Sequence, residues 1–245
     1  MGSNTSQPRR KTGGSGGLGG IPGFGSGSKK SSSGSASKPA LDEFNHENGI
    51  LLGSDRRGKK YVLNYGKSLY ILGQNGSAAK AAAVCAENCK VSDKAYHFGT
   101  SELHNYTKVS SEADICLAVN SMNEGNTVFF IEDMMEFYKI ISDEDLDSLI
   151  KILSDETKGN NFIIGANIDD AVILRDYPLG IFLFTANAAG MLAGCSASDA
   201  MTVLHTALLD NMTASERASI ATVSMPLLFQ KNGANSRIIM KNEEI

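Results

Sequence analysis

The chain has 245 residues, a formal net charge of -4 at pH 7 and 42% hydrophobic residues, and it contains no tryptophan. This size and composition suit one globular domain together with an unstructured segment. No run of residues approaches the ~20 apolar side chains that cross a bilayer, and the N-terminus lacks the apolar centre of a signal peptide. We therefore predict a soluble, cytoplasmic protein with no transmembrane segment.

Residues 1–40 differ in composition from the rest of the chain. Glycine and serine dominate, six lysines and arginines are dispersed among them, and acids are absent. Such a segment buries too little apolar surface to offset its ordering entropy, so we predict a disordered basic tail or linker over 1–40 and a folded domain over 41–245. Six dispersed charges are a weak nucleic-acid signal, and the other residues, 17 basic and 27 acidic, carry a net charge of -10.

The folded part begins with three predicted strands. Gly49–Gly53 and Lys60–Tyr65 are apolar runs joined by a polar turn, which indicates a hairpin. Leu69–Leu72 follows as a short buried strand, and a glycine-bearing turn, Gly73–Ser77, connects it to an alanine-rich helix from Ala78 to about Lys90.

Strands and helices alternate through the rest of the domain. Ser142 and Asp145 form a capping pattern that starts a helix with apolar residues at i, i+3, i+4 and i+7. We predict further strands at Ala95–Phe98, Asn126–Asp133, Asn161–Ala166 and Gly180–Thr185, helices at Ser110–Asn123, Asp169–Arg175 and Ser198–Leu209, and a closing hairpin of Leu227–Gln230 with Arg237–Met240. The alternation predicts an α/β fold with a mostly parallel sheet and helices on both faces.

The turn after Leu72 occupies the strand–loop–helix context of a phosphate-binding loop. That motif reads G-x-x-x-x-G-K-[ST], in which the lysine neutralises phosphates and the hydroxyl holds Mg²⁺. The candidate nucleotide-binding residues are those of a degenerate version, Gly73, Gly76, Ala78, Ala79 and Lys80. In this frame alanines replace the second glycine and the lysine, and Lys80 replaces the hydroxyl. An ordinary turn before an alanine-rich helix explains the same residues, and the helix N-terminus can still hold an anion weakly.

Two acids end the apolar strand VFFIED, where the second acidic motif of an NTPase is expected. Glu132 and Asp133 are therefore the candidate catalytic residues, in an order reversed from the usual Asp-Glu. The alternative is that they simply end a strand and begin a helix.

Neither the cysteines nor the histidines show metal-ligand spacing. Cys85 and Cys89 lie one helical turn apart without a neighbouring histidine, and the four histidines are dispersed along the chain. We predict free thiols and no metal site.

The order of elements resembles the C-terminal ATPase module of FtsK/SpoIIIE-type proteins of type VII secretion systems (EssC/EccC-like). The residues that carry the resemblance are the hairpin before the glycine turn, the strands VFFIED and NFIIGA, and the segment GIFLFTANAAGMLAGCSASDAMTVL. It covers roughly Leu41 to Met240. It implies a RecA-like P-loop NTPase fold, and a family of membrane-anchored motors with tandem modules whose later members often carry degenerate nucleotide sites.

For this chain the resemblance implies a degenerate, non-hydrolysing module that docks substrates or partners in protein secretion, a vestigial ATPase rather than an enzyme. No tightly bound cofactor is implied, and ATP with Mg²⁺ would bind weakly at most. The implied partners are secreted WXG-type helical-hairpin proteins, other secretion components, further copies of the chain, or a larger ATPase at a membrane complex. Two alternatives stay open: an active ATP-hydrolysing motor in which Lys80 and Glu132 replace the standard residues, and a DNA-translocating relative, which the acidic domain disfavours.

Overall fold

The computed structural model describes residues 41–42, 49–89, 94–185, 188–204, 209–230 and 235–240. The tail predicted over residues 1–40 lies outside these ranges. The tail and the domain boundary at residue 41 therefore stay predictions.

The described strands form two sheets. They are β1 (Leu41–Asp42), β2 (Gly49–Ser54), β3 (Lys60–Asn64), β4 (Ser68–Gly73), β5 (Ala95–Phe98), β6 (Thr107–Val109), β7 (Val128–Ile131), β8 (Asn161–Asn167), β9 (Ala189–Leu192), β10 (Leu227–Phe229) and β11 (Ser236–Arg237). The first three make a small antiparallel sheet in the order β1-β3-β2, and the others make a larger sheet in the order β11-β10-β9-β4-β8-β7-β5-β6.

Helices connect the strands of the larger sheet. They are α1 (Ser77–Glu87), α2 (Glu112–Glu124), α3 (Met134–Tyr138), α4 (Asp143–Leu153), α5 (Ala171–Leu174), α6 (Pro178–Thr185), α7 (Ala197–Leu204) and α8 (Ala214–Ala218), with a 3-10 helix at Glu156–Lys158. From β9 to β6 every neighbouring pair of strands is parallel, and β10 and β11 add an antiparallel edge. The predicted mostly parallel α/β fold is confirmed.

The larger sheet separates two apolar cores. Successive residues of β4 point to opposite faces, so Leu69 and Ile71 join one core while Tyr70 and Leu72 join the other. Small residues of α1, among them Ala78 and Ala81, pack into the first core. Because both faces are covered by helices, the strands in the middle of the sheet read as continuous apolar runs.

One predicted strand is wrong. Gly180–Thr185 lies within helix α6, and the strand of this region is β9, four residues further along. A short apolar run fits a buried helix as well as a buried strand, and Pro178 at the first helical position favours the helix. The true strand, AGML, has small residues because Phe229 of β10 packs directly over Gly190.

The close contact between α5 and α6 generates a stability prediction. A Cβ at Gly180 would collide with the backbone carbonyl of Leu174 at the end of α5. Although alanine is the better helix former, we expect Gly180→Ala to lower the free energy of unfolding by about 1 to 3 kcal/mol, because the two helices must move apart. Urea unfolding measures this. The matched control is Ile181→Ala, at a side chain 49% exposed in the same helix, for which we expect a change within ~0.5 kcal/mol. If Gly180→Ala is as stable as this control, the backbone at Leu174 can move to accommodate the added methyl group at little cost.

Candidate functional site

The turn between β4 and α1 has the length of a phosphate-binding loop. Four residues, Gln74–Ser77, separate Gly73 from Ala78, as four separate the glycines of the motif, and α1 begins at the last of them. Two of these residues adopt left-handed backbone conformations, Asn75 with φ 51° and Gly76 with φ 75°. The Ser77 N-H donates to the Gln74 carbonyl at 2.9 Å, so the turn is closed by its own hydrogen bond.

The segment that leaves β9 lies against this turn. The Ala193 carbonyl approaches Gly73 so closely that a Cβ there would collide with it, and a Cβ at Gly194 would collide with the Ser77 side chain. The Ala193 N-H also donates to the Leu72 carbonyl at 2.8 Å. One side of the turn is therefore filled by protein.

The first turn of α1 offers little to a phosphate beyond its backbone. Gly76 precedes the helix and supplies no side-chain cap, so of the first N-H groups that of Ser77 is bonded within the turn and those after it gain no side-chain acceptor from the cap. Ala78 is buried, Ala79 is half-buried, and Lys80 is exposed. The structure therefore gathers the five predicted nucleotide-binding residues at one helix end, without a lysine or a hydroxyl at the positions the motif requires.

The Glu132 carboxylate is enclosed by hydrogen-bond donors from β5 and the loop after it. His97 Nε2 lies 2.9 Å from Oε1, and the backbone N-H groups of Thr100 and Ser101 donate at 2.8 and 2.9 Å. The Thr100 hydroxyl adds a fourth contact at 3.2 Å. Glu132 is only 5% exposed, so its charge is held inside the protein.

These contacts fix the ionisation of Glu132. Burial by itself raises the pKa of a carboxyl group, but the hydrogen bonds from His97, Ser101 and Thr100 outweigh burial and lower the pKa of Glu132 to about 2. The side chain is therefore an anion at neutral pH whose partners all come from its own chain.

Asp133 also has a structural partner. Its side chain accepts hydrogen bonds from the backbone N-H groups of Met135 at 2.8 Å and Glu136 at 3.2 Å, which makes it the N-cap of α3. Gly165 of β8 lies between the two segments, because a Cβ there would collide with the Glu132 carbonyl and would contact Ala78 of α1. The Glu132 side chain nevertheless turns away, towards β5.

No protein-family model matches the sequence, and no curated protein matches it. Solved structures do match. EssC (ATPases 2 and 3) from Geobacillus thermodenitrificans superposes with a TM-score of 0.59 at 10% identity, covering 81% of this chain and 42% of that chain. A complex of EccC (ATPases 2 and 3) from Thermomonospora curvata with a signal sequence peptide gives 0.57 at 10% identity, with the same two coverages.

The fold is that of type VII secretion ATPase domains. The resemblance inferred from the sequence is thus confirmed at the level of the fold. A third match, to a protein described only as an ATPase, has a TM-score of 0.55 at 8% identity and covers 89% of that chain. The present chain spans less than half the length of the EssC and EccC structures.

Sequence reasoning did not find the partners of Glu132. His97, Thr100 and Ser101 lie 31 to 35 residues before it, and they come together only because β5 and β7 are neighbours. Within the described ranges, no group of three histidine, cysteine or acidic side chains is arranged to hold a metal ion. None of the helices described has both the length and the apolar character needed to span a membrane.

The enclosed carboxylate predicts a specific acid sensitivity. Because folding lowers the pKa of Glu132 from 4.5 to about 2, its stabilising effect is complete above about pH 4.5 and is lost as the pH falls towards 2. We expect Glu132→Gln to lower the free energy of unfolding at pH 7 by on the order of 3 kcal/mol and to flatten the loss of stability between pH 4.5 and 2. Chemical unfolding of both proteins across this range measures the difference.

Asp133→Asn is the matched control, because asparagine caps a helix about as well as aspartate. It removes a neighbouring carboxylate but should retain the acid dependence of the unaltered protein. If both variants show the same acid dependence, the hydrogen-bonded Glu132 is not its source.

Proposed function

We propose that this chain is a type VII secretion module whose nucleotide site is vestigial, and that it docks a secreted protein instead of hydrolysing ATP. The observation that carries this proposal is the turn at Gln74–Ser77, which is closed by its own hydrogen bond and is followed by Ala78 and Ala79 where the motif has glycine and lysine. A loop that wraps phosphates needs its N-H groups open and a lysine beside them. Here one such group is already bonded, and the segment after β9 lies against the turn.

The acidic pair supports the same conclusion. Hydrolysis needs one carboxylate for Mg²⁺ and another for the attacking water. Glu132 instead accepts four hydrogen bonds from its own chain, and Asp133 caps a helix. Glu132 would have to leave its present partners before it could serve a nucleotide, and the capping bonds hold Asp133 at the start of α3.

Nucleotide binding decides between this proposal and the active-motor alternative. A ligand at a hundred times its dissociation constant adds about 2.7 kcal/mol to stability. We expect millimolar MgATP to leave the thermal unfolding of the full chain unchanged. A clear rise that disappears in Lys80→Ala but persists in Lys108→Ala, a surface lysine of β6, would establish a working site and refute the vestigial one.

The docking surface that we propose is the outer side of α5 and α6. Four large apolar side chains of this segment are each 40 to 51% exposed, and they are Val172, Ile173, Tyr177 and Ile181. We call these four the α5–α6 patch. Single exposed apolar residues are ordinary, whereas several on one short segment are typical of an interaction site.

The patch rests on an ordered base. The Tyr138 hydroxyl accepts the Leu179 N-H at 3.0 Å, and the Tyr138 ring lies against the Tyr177 ring with centroids 4.7 Å apart. These contacts hold the start of α6 in place before any partner arrives. Tyr177 directly precedes α6 and its carbonyl accepts the Ile181 N-H at 2.8 Å, so the two residues have the i, i+4 spacing at which apolar side chains meet a partner helix.

The occupant that we propose is a helical segment of a secreted type VII substrate. The Thermomonospora curvata EccC structure was solved with a signal sequence peptide, and its ATPase modules share the fold of this chain. Because those proteins carry more than one module, we further propose that this chain works beside a larger ATPase, on the cytoplasmic side of a secretion complex.

A peptide-binding experiment tests the patch. The first probe is the labelled signal sequence peptide of the EccC complex, followed by small secreted helical-hairpin proteins. We expect Ile173→Asp with Ile181→Asp to weaken binding at least tenfold, since each charge must be desolvated in the interface. Leu117→Asp is the control, because Leu117 is 63% exposed on α2, outside the patch. Equal weakening by the control, or none by the double variant, would place docking elsewhere.

A further inference from the structure

A cavity of about 200 Å³ lies at the opposite end of β4 from the Gly73–Ser77 turn. Its walls come from the turn before β4, the end of α4 with the 3-10 helix after it, and the residues around the start of β9. The strand between Ser68 and Gly73 separates the two ends by roughly 16 Å. The cavity is therefore distinct from the vestigial nucleotide site, and the inference below does not depend on the proposed secretion role.

A buried ammonium group lines this cavity. The Lys67 side chain is 4% exposed and forms an ion pair with Glu156, which is 32% exposed. An ammonium carries three N-H donors, and among the residues that the structure describes its one partner is Glu156. Burying a charged group with donors unmet is costly, so a ligand in the cavity gains by offering this ammonium a further acceptor.

The lysine is held at the cavity by its backbone. The Asn161 side chain is fully buried and donates to the carbonyls of Asn64 at 2.8 Å and Lys67 at 3.1 Å. The Lys67 N-H also donates to the Asn64 carbonyl at 3.2 Å. The turn is thus ordered before a ligand binds, which lowers the entropy cost of binding.

The charges of the cavity select a neutral ligand. Lys67 and Glu156 carry opposite charges, so an added anion or cation would leave one charge uncompensated beside the buried Lys67 side chain. A neutral group with both an acceptor and a donor can serve both side chains. An amide has this combination, since its carbonyl accepts from Lys67 Nζ and its N-H donates to the Glu156 carboxylate.

The other residues that line the cavity indicate which group is attached to the amide. Leu153, Phe182 and Ala188 present apolar surface to the cavity. Its volume is below the 300 Å³ at which sites for drug-sized ligands begin, so one small group fits. We propose that this cavity binds a neutral amide on a short apolar group, either a small molecule or one residue of a polypeptide.

Titration of the full chain with three compounds tests this proposal. The probes are isobutyramide, N-acetylvaline N-methylamide and the anion isobutyrate, followed through amide resonances by NMR. We expect saturable shifts around Lys67 and Ala188 with an amide, and at least tenfold weaker binding of isobutyrate. Tighter binding of the blocked valine identifies a polypeptide as the source, and binding of isobutyramide alone identifies a small molecule.

Variants locate the binding in the cavity. Lys67→Met keeps the length of the side chain and removes its donors, while Ala188→Leu fills the space and leaves the ion pair intact. Both should raise the dissociation constant at least tenfold, and Lys80→Met, at the other end of β4, should not. If Lys67→Met does not fold, Ala188→Leu and the isobutyrate comparison decide alone. Absence of saturable shifts with either amide, isobutyrate binding as tightly as the amides, or unchanged binding in Ala188→Leu would each overturn the proposal.

Discussion

The burial of β4 on both of its faces is the constraint on which the rest of the structure depends. All six residues of the strand are buried, and β9 and β8 flank it in parallel. Its alternating side chains supply two cores at once, so both faces of the sheet must be covered. On one face that cover is α1, whose alanines allow it to lie close to β4 and β8. Gly165 permits the closest approach, because any side chain there would meet both α1 and the Glu132 carbonyl.

This packing explains how the start of α1 can be ordered without a bound phosphate, as the proposed function requires. Apolar burial, the Gln74–Ser77 hydrogen bond and the segment after β9 fix it. Glu132 is likewise held by contacts within the chain. Charge-assisted hydrogen bonds contribute about 1.5 to 3 kcal/mol each, so a metal ion that claimed this carboxylate would have to offset several of them.

The sequence predicted the elements whose signals are local. Asn126–Asp133 and Asn161–Ala166 are continuous apolar runs bounded by turn residues, and the structure has strands β7 and β8 there. Gly180–Thr185 failed because an apolar run of six residues carries no period that separates a strand from a buried helix. β9 was not predicted, because Gly190 gives it no strand-like side-chain pattern. A glycine is needed there because the Phe229 ring, 39 residues further along the chain, packs over it. The same distinction applies to the candidate site. The glycine turn could be predicted because its signal lies in consecutive residues, whereas the donors around Glu132 could not, because they depend on which strands are neighbours.

The two ends of β4 differ in how their polar groups are satisfied, and this difference bears on where ligands bind. At the carboxyl end, both oxygens of the Glu132 carboxylate accept hydrogen bonds from within the chain, so a ligand that claims this group must first break contacts. At the amino end, the Lys67 ammonium has a single partner among the described residues and adjoins a cavity, so a ligand can add contacts without breaking one. Hydrogen bonds in a poorly solvated space are strong when made and costly when left unmade. A ligand of this molecule is therefore favoured at the amino end of β4, opposite the end at which the glycine turn of a P-loop enzyme binds nucleotide.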